Sequence, residues 1–256
     1  MSRLALVTGA SSGIGRAFAE RLAQDGYDLV VVARRRERLD ELVAALPGVT
    51  VEAVVADLAT DEGIDTVAGL CAARPLAMLV NNAGVAHYMP LAELPAAKAR
   101  EILQTKVTAP TLLTRAALGG MIERGAGTIV NVAGMLAFAG PVPTPHLRRT
   151  VYTGTLALTV AATQTLHAEL AGTGVTAHVV CPGVVATEFH TVQGMDLSAV
   201  PRMSAAEVVT AALTGISLGE VVIAPGVEDA SLLDTVFQAD TAVWGVQGAQ
   251  LASRYR

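Results

Sequence analysis

The chain has 256 residues, of which 52% are apolar and 16% are charged, and its formal charge is −5 at pH 7. A chain of this length can bury a large core as one domain, and its acidic balance excludes the basic surface that binds nucleic acid. No apolar run is long enough to cross a bilayer and no signal-peptide pattern precedes the first strand, so we expect a cytoplasmic protein without a membrane partner. Cys71 and Cys181 flank no metal-ligand spacing, and no metal site is expected.

The first predicted strand, residues 4–7, is followed by a glycine-rich turn from Thr8 to Gly15 and then by an amphipathic helix. Glycines lack a Cβ atom, so Gly9, Gly13 and Gly15 let the backbone turn tightly and lie close to a pyrophosphate that faces the amides at the helix start. An ordinary glycine-rich turn is the alternative. The strand before it and the helix after it favour a phosphate-binding motif.

Short apolar runs, rich in β-branched residues, alternate with helical patterns along the chain. This alternation predicts an α/β fold, a single domain over residues 1–256 with a doubly wound parallel sheet of about seven strands and helices on both faces. Right-handed crossovers place the carboxyl ends of the strands at one edge, where ligands of such sheets bind. The predicted strands are 4–7, 28–33, 51–56, 77–80, 128–132, 175–180 and 220–223.

The second strand ends in three arginines and no acid. A carboxylate at this strand end would accept hydrogen bonds from an adenosine ribose, whereas arginine pairs with a 2′-phosphate. Arg34 and Arg35 therefore predict NADP(H) rather than NAD(H). The alternative, arginines that only solvate the first turn of a helix, suits Arg36 and Arg38 better.

Small or polar residues also follow the third, fourth and sixth strands. Asp57 and Leu58 follow the third strand, where Asp57 could cap a helix or hold an adenine amino group. Residues 81–84 read Asn-Asn-Ala-Gly and permit close approach to a ribose, and Pro182 and Gly183 follow the sixth strand. Because these residues all lie at strand ends on one edge, they predict one nucleotide site.

With these motifs in order and at matching spacing, the chain resembles the short-chain dehydrogenase/reductase family over nearly its whole length. The resemblance implies a Rossmann-like sheet, nicotinamide dinucleotide binding and a homodimer or homotetramer formed through two long helices. It also implies that Asp57 and Leu58 contact the adenine and that Thr187 contacts the nicotinamide carboxamide. The predicted cofactor-binding residues are Gly9, Ser11, Ser12, Gly13, Ile14, Gly15, Arg34, Arg35, Asp57, Leu58, Asn82, Ala83, Gly84, Pro182, Gly183, Val185 and Thr187.

The catalytic half departs from the pattern that the resemblance implies, which is an asparagine, a serine, and a tyrosine followed four residues later by a lysine. Tyr152 matches, but the lysine position is Leu156 and the asparagine position is Lys106. The serine position falls at Ala133 or Gly134, and neither has a hydroxyl. Without the ammonium that lowers its pKa, a neutral Tyr152 can donate a hydrogen bond but is a poor base, so alcohol oxidation should suffer more than carbonyl reduction.

Lys106 has two interpretations. Its ammonium could reach toward Tyr152 and restore part of the missing field, which makes it a candidate catalytic residue. The favoured alternative is that the long side chain follows the helix surface and ends in water.

Other residues are candidates for the substrate pocket. Arg149 could hold an anionic substrate or be a solvated loop residue, and the segment 185–203 could be a lid or a plain surface connection. The substrate-contacting candidates are His87, Gly134, Met135, His146 and Phe189.

Three functions remain open on the sequence. The first is an NADP(H)-dependent oxidoreductase that reduces a small apolar carbonyl, enone or imine, with an altered proton path centred on Tyr152. The second is non-redox chemistry on the same fold, namely cyclisation, isomerisation or dehydration. The third is a cofactor-sensing or partner-binding protein without catalysis. Intact cofactor motifs favour the first two, and the first is our prediction.

Overall fold

The computed structural model of the protein describes residues 3–142 and 148–256. These residues form nine strands, of which seven make one parallel sheet in the order β3-β2-β1-β4-β5-β6-β9, and β7 and β8 form a separate parallel pair. The strands are β1 (Arg3–Thr8), β2 (Tyr27–Ala33), β3 (Val51–Val55), β4 (Leu76–Asn81), β5 (Gly127–Val132), β6 (Val175–Val180), β7 (Val185–Ala186), β8 (Met203–Ser204) and β9 (Val222–Ile223).

Helices cover both faces of the main sheet. Side chains of successive strand residues point to opposite faces, so Val7 of β1 packs toward the first, second and eighth helices, while Leu6 packs toward the third and fifth. The helices are α1 (Gly13–Gln24), α2 (Arg36–Ala44), α3 (Asp61–Ala73), α4 (Ala96–Leu103), α5 (Ala109–Arg124), α6 (Thr150–Glu169), α7 (Phe189–Val192), α8 (Ala205–Leu218) and α9 (Ser231–Gly245). The fold predicted from the alternating pattern is confirmed.

The order of the strands determines at which point of the sheet a ligand crevice opens. Strand β1 pairs with β2 on one side and with β4 on the other, and the chain winds outward from this centre in both directions. A crevice therefore opens at the carboxyl ends of the strands where the winding direction reverses, which is where open α/β sheets bind ligands.

The contacts divide the chain into two compact units. Met1–Pro225 carries the sheet, and Gly226–Arg256 carries α9. A single domain over 1–256 stays a prediction. Among the described helices, none combines the length and the apolar character that crossing a bilayer would need.

The segment 185–203, predicted as a lid or a surface connection, is tied at both ends. Val185 of β7 pairs with Met203 of β8, and α7 lies between these two strands in the chain. Two-residue strands have no periodicity that a sequence pattern could detect, so this pair was not predicted. Ser204 then starts α8 with a capping box, in which its Oγ accepts a hydrogen bond from the Glu207 amide at 3.2 Å. The lid itself stays a prediction.

Candidate active site

A cavity of about 850 Å³ lies at the carboxyl ends of the strands. Its wall includes the glycine-rich turn, the arginines after β2, Asp57 after β3, the small residues after β4 and Tyr152 of α6. Every predicted cofactor-binding residue lines this cavity except Gly15. The cavity therefore brings together sequence motifs as far apart in the chain as Gly9 and Thr187.

The glycine-rich turn needs its glycines for two different reasons. Gly9 and Gly13 have φ values of +67° and +55°, which side-chain-bearing residues rarely adopt. A Cβ on Gly13 would lie 3.0 Å from Cγ2 of Thr187, so the turn also packs closely against the loop after β6. Gly15 instead packs inside the fold, because a Cβ there would overlap the carbonyl oxygen of Gly9 and the side-chain amide of Asn82.

Asn82 joins the end of β4 to the glycine-rich turn. Its Nδ2 donates hydrogen bonds to the carbonyl oxygens of Thr8 at 3.0 Å and Gly9 at 3.3 Å. In return, Oγ1 of Thr8 accepts hydrogen bonds from the amides of Asn82 at 3.0 Å and Ala83 at 3.1 Å. These bonds hold the two central strand ends in one geometry beneath the cavity.

The two arginines after β2 lie at the rim near the glycine-rich turn. Nη2 of Arg35 donates to Oγ of Ser11 at 2.9 Å and to Oγ of Ser12 at 3.0 Å, and it pairs with Glu188. The hydrogen bond from Arg35 holds the pKa of the Glu188 carboxyl below its usual range. Arg34 lies more exposed, 3.7 Å from Glu101. Both arginines line the cavity, so they are candidates to bind a phosphate there.

Asp57 does not cap the helix that follows it. Thr60 is the N-cap of α3, where its Oγ1 accepts the Gly63 amide at 3.1 Å. Oδ1 of Asp57 accepts the amide of Ala59 at 3.0 Å in a local turn, and the residue lines the cavity. The helix-capping interpretation is therefore wrong, because a threonine three residues later takes that position.

Tyr152 lies in the first turn of α6 with 8% of its surface exposed. Its ring packs edge-on against Tyr88, with centroids 5.7 Å apart, and lies 6.3 Å from the ring of Phe189. Burial raises the pKa of the Tyr152 phenol well above its ordinary value. The phenol therefore stays protonated at neutral pH, so it can donate a hydrogen bond but is not the phenolate that a general base requires.

The two positions that lack their expected polar groups are neighbours in space. Leu156 is 1% exposed one helical turn after Tyr152, and a Cβ built on Gly134 would lie 3.5 Å from Cδ1 of Leu156. Both residues line the cavity. The wall beside the Tyr152 phenol is therefore apolar where the family pattern would place a hydroxyl and an ammonium.

Lys106 is buried, with 7% of its surface exposed, so the interpretation that its side chain ends in water is wrong. It belongs to a π-helical segment, Gln104–Thr108, between α4 and α5, in which Thr105 and Lys106 are buried. Its Nζ donates to the carbonyl oxygen of Val132 at 3.1 Å and lies beside Gly84. In the described residues no hydrogen bond joins it to Tyr152. Burial lowers the pKa of Lys106 to about 8.

The buried ammonium of Lys106 predicts a pH-dependent stability. Its pKa falls from 10.5 in the unfolded chain to about 8 in the folded protein, so the unfolded chain binds more protons between these values and folding becomes more favourable as pH rises. Relative to Lys106→Met, the natural protein should gain on the order of 3 kcal/mol of unfolding free energy from pH 8 to 10.5. Urea unfolding at several pH values measures this, with the exposed Lys98→Met as the control. Parallel profiles for the natural protein and Lys106→Met would contradict it.

Some of the predicted substrate-contacting residues line the cavity and others do not. Gly134, Met135 and Phe189 line the cavity, whereas His87 lies outside its wall, with Nε2 hydrogen-bonded to Oε2 of Glu101 at 2.8 Å. His146 lies outside the described residues.

The cavity wall also contains His190, which the sequence analysis did not select. A lone histidine in an irregular segment has no periodicity or spacing that would identify it, and only the position of α7 brings it to the cavity.

Comparisons with known proteins identify the family of this chain. Residues 3–197 match the family model described as short chain dehydrogenase. Sulfoacetaldehyde reductase 2 of Chromohalobacter salexigens is 36% identical over 197 residues, which cover 75% of this chain and 77% of that protein.

Two solved structures extend the likeness over the whole chain. A short-chain dehydrogenase from Sphingobium yanoikuyae in complex with NADPH is 34% identical, covers 99% of this chain and 100% of its own, and superposes with a TM-score of 0.93. The bulky-bulky ketone specific alcohol dehydrogenase of Comamonas testosteroni is 31% identical, with coverage of 99% and 98% and a TM-score of 0.89. The chain thus belongs to the short-chain dehydrogenase family of nicotinamide-dependent oxidoreductases.

Proposed function

We propose that the protein is an NADP(H)-dependent reductase of an apolar carbonyl, enone or imine, with Tyr152 as the proton donor. The observation that carries this proposal is the single cavity that joins the glycine-rich turn, Arg35 and the Tyr152 phenol. Nucleotide-binding groups and a protonated acid thereby face the same space. Separate sites would not support hydride and proton delivery to one substrate.

The residues of the cavity fit a nicotinamide dinucleotide. Gly9 and Gly13 form a left-handed turn at the start of α1, where the free backbone amides of a helix can bind a pyrophosphate. Nζ of Lys106 uses one N–H group on Val132, so its remaining donors can hold a ribose hydroxyl. When bound, the nicotinamide supplies the hydride. The protein's own part is to orient the two reactants and to provide the proton.

The preference for NADP(H) rests on the arginines after β2. Arg35 already lies within hydrogen-bond distance of two serine hydroxyls of the glycine-rich turn, and Arg34 lies beside it on the cavity wall. A 2′-phosphate accepts several charge-assisted hydrogen bonds from such a pair. The similar protein from Sphingobium yanoikuyae was solved with NADPH, which supports the same choice here.

Replacing both arginines should reverse this preference. Arg34→Ser with Arg35→Ser removes charge-assisted hydrogen bonds to a 2′-phosphate, and we expect NADPH affinity to fall by about 10- to 100-fold. NADH affinity should change much less, because NADH lacks that phosphate. Isothermal titration calorimetry with NADPH and with NADH measures the ratio of the two affinities.

The control for this prediction is Arg36→Ser, which removes an arginine that pairs with Asp40 and does not line the cavity. An equal loss of NADPH and NADH affinity in the double variant would contradict the role of Arg34 and Arg35.

Tyr152 would protonate the carbonyl oxygen as the hydride arrives at carbon. The phenol is protonated at neutral pH and can therefore donate to a carbonyl oxygen, whereas alcohol oxidation, which needs a phenolate base, is disfavoured. Gly134 and Leu156 offer no second polar group to polarise the carbonyl. A substrate that is already activated, such as an iminium or a conjugated enone, suits this site.

The experiment that tests the proposal is NADPH consumption against panels of ketones, aldehydes, enones and imines. The sulfoacetaldehyde reductase and the ketone-specific alcohol dehydrogenase among the similar proteins support the inclusion of carbonyl compounds. Saturable NADPH oxidation with at least one panel supports the reductase. Tight NADPH binding without consumption in any panel would overturn it in favour of non-redox chemistry or cofactor sensing.

We also propose a cytoplasmic homodimer or homotetramer with a small apolar substrate. The two long helices that the family resemblance points to are α5 and α6, and each exposes apolar side chains, among them Leu112 and Leu158. Sedimentation equilibrium tests the oligomeric state.

A further inference from the structure

Arg149 carries a positive charge that no carboxylate of the described residues neutralises. Its Cζ lies 3.8 Å above the ring centroid of Tyr88, and no Asp or Glu there lies within ion-pair distance of it. The undescribed residues 143–147 contain no Asp or Glu in the sequence. A guanidinium has five N–H donors, and stacking on a ring uses the face of the group rather than these edge donors.

A second polar group lies on the same ring. The His190 ring lies 6.4 Å from the ring of Tyr88, and its Nδ1 is buried without a hydrogen-bond partner in the described residues. A buried nitrogen without a partner is costly, so its presence in a native protein calls for an explanation, of which a functional role is one. Arg149, His190 and Tyr88 all line the cavity that contains Tyr152.

The charges around this end of the cavity are unbalanced. The acids in the cavity wall are Asp57, which follows β3, and Glu188, which is paired with Arg35. Burial and the charges of Arg149 and Arg202 lower the pKa of the His190 imidazole, as expected where positive charge accumulates. Hydrogen bonds from Ser198 lower the pKa of Asp196, and the charge of Arg202 lowers it further, so Asp196 is the acid near Arg202. Asp196 is not part of the cavity wall.

We propose that Arg149 and His190 form a carboxylate-binding subsite and that the natural substrate is an apolar carbonyl compound with a carboxylate on the same molecule. This proposal rests on the proposed reductase function. Tyr88 contacts both groups, since its ring centroid is 5.7 Å from that of Tyr152 and 3.8 Å from Cζ of Arg149. The carbonyl and the carboxylate would be joined by an apolar body that packs on Tyr88.

Binding of unreactive ligands tests the subsite without catalysis. We expect 4-ethylbenzoate to bind the NADP⁺-loaded protein at least 10-fold more tightly than 4-ethylbenzamide in isothermal titration. Arg149→Leu should remove this difference, and Arg149→Lys should restore part of it, because lysine keeps the charge but not the planar fork. His190→Gln should reduce it by about 3- to 10-fold.

The matched control is Arg148→Leu. Arg148 is the exposed neighbour of Arg149 and does not line the cavity, so its loss should leave the preference for 4-ethylbenzoate intact. Equal binding of the acid and the amide by the natural protein would overturn the proposal. A preference retained by Arg149→Leu, with a thermal unfolding profile like that of the natural protein, would overturn it as well.

Kinetics connect the subsite to turnover. The comparison uses kcat/KM for 4-acetylbenzoate divided by kcat/KM for its methyl ester. We expect Arg149→Leu to lower this ratio by about 10- to 100-fold, mainly because the KM of the acid rises. If the acid binds selectively but no carbonyl compound is reduced, the reductase function is wrong and the subsite stands. If the ester is reduced as well as the acid by the natural protein, the subsite is wrong and the reductase stands.

Discussion

Tyr152→Phe is expected to lower NADPH-dependent reduction by about 10²- to 10⁴-fold, the usual cost of losing a positioned proton donor. Phenylalanine keeps the ring that packs against Tyr88 and Phe189, so the loss reports the hydroxyl alone. NADPH affinity should be unchanged within a few-fold. The effect should appear in kcat with each reducible substrate, measured by steady-state NADPH oxidation beside direct NADPH binding.

The control for this prediction is Tyr27→Phe. Tyr27 lies at the start of β2, at the opposite edge of the sheet, where its hydroxyl accepts a hydrogen bond from Arg3 at 3.2 Å. If Tyr152→Phe keeps more than a tenth of the natural activity, Tyr152 is not the proton donor. Lys106 would then be the next buried side chain to test as the proton donor.

Gly15→Ala is expected to damage both folding and cofactor binding. The added Cβ would overlap the carbonyl oxygen of Gly9, a backbone atom that cannot move without opening the glycine-rich turn, and it would also collide with Asn82. Overpacking of this kind costs typically 1–3 kcal/mol of unfolding free energy. Because the displaced atoms belong to the phosphate-binding turn, NADPH affinity should fall by at least about 10-fold.

Gly69→Ala provides the matched comparison for Gly15→Ala. Gly69 also lies inside a helix, α3, but no atom lies within 4 Å of a Cβ built there. Alanine is favoured over glycine in a helix by roughly 0.5–1 kcal/mol, so Gly69→Ala should be neutral or stabilising. Urea unfolding of both variants separates the two effects. If Gly15→Ala also proves neutral, close packing is not the reason for a glycine at that position.

The sheet and its cofactor edge were predictable because they depend on local patterns. Apolar strands of four to seven residues, separated by helical periodicity, allow few topologies once crossovers are right-handed. Residues at the strand ends then share one edge whatever the details of packing. For this reason the cavity contains all the predicted cofactor residues but Gly15. That exception is a packing glycine, whose role depends on how closely α1 approaches Asn82.

The orientation of individual side chains was less predictable. His87 was expected at the substrate pocket but bonds to Glu101, and Lys106 was expected in water but is buried against Val132. In both cases the outcome depends on a neighbouring element. Lys106 lies in a π-helical segment, and nothing in Gln-Thr-Lys-Val-Thr distinguishes that segment from an ordinary helical turn.

By itself the sequence determined the α/β fold, the nucleotide edge and the loss of the hydroxyl and ammonium at Gly134 and Leu156, because strand patterns, turn glycines and missing functional groups are properties of residue order. Only the tertiary structure decided what surrounds Tyr152. It buries the phenol and places Lys106 at the end of β5. It also brings Arg149 and His190 beside the same ring, that of Tyr88. These relations join segments that are distant in the chain, and packing alone sets their distances.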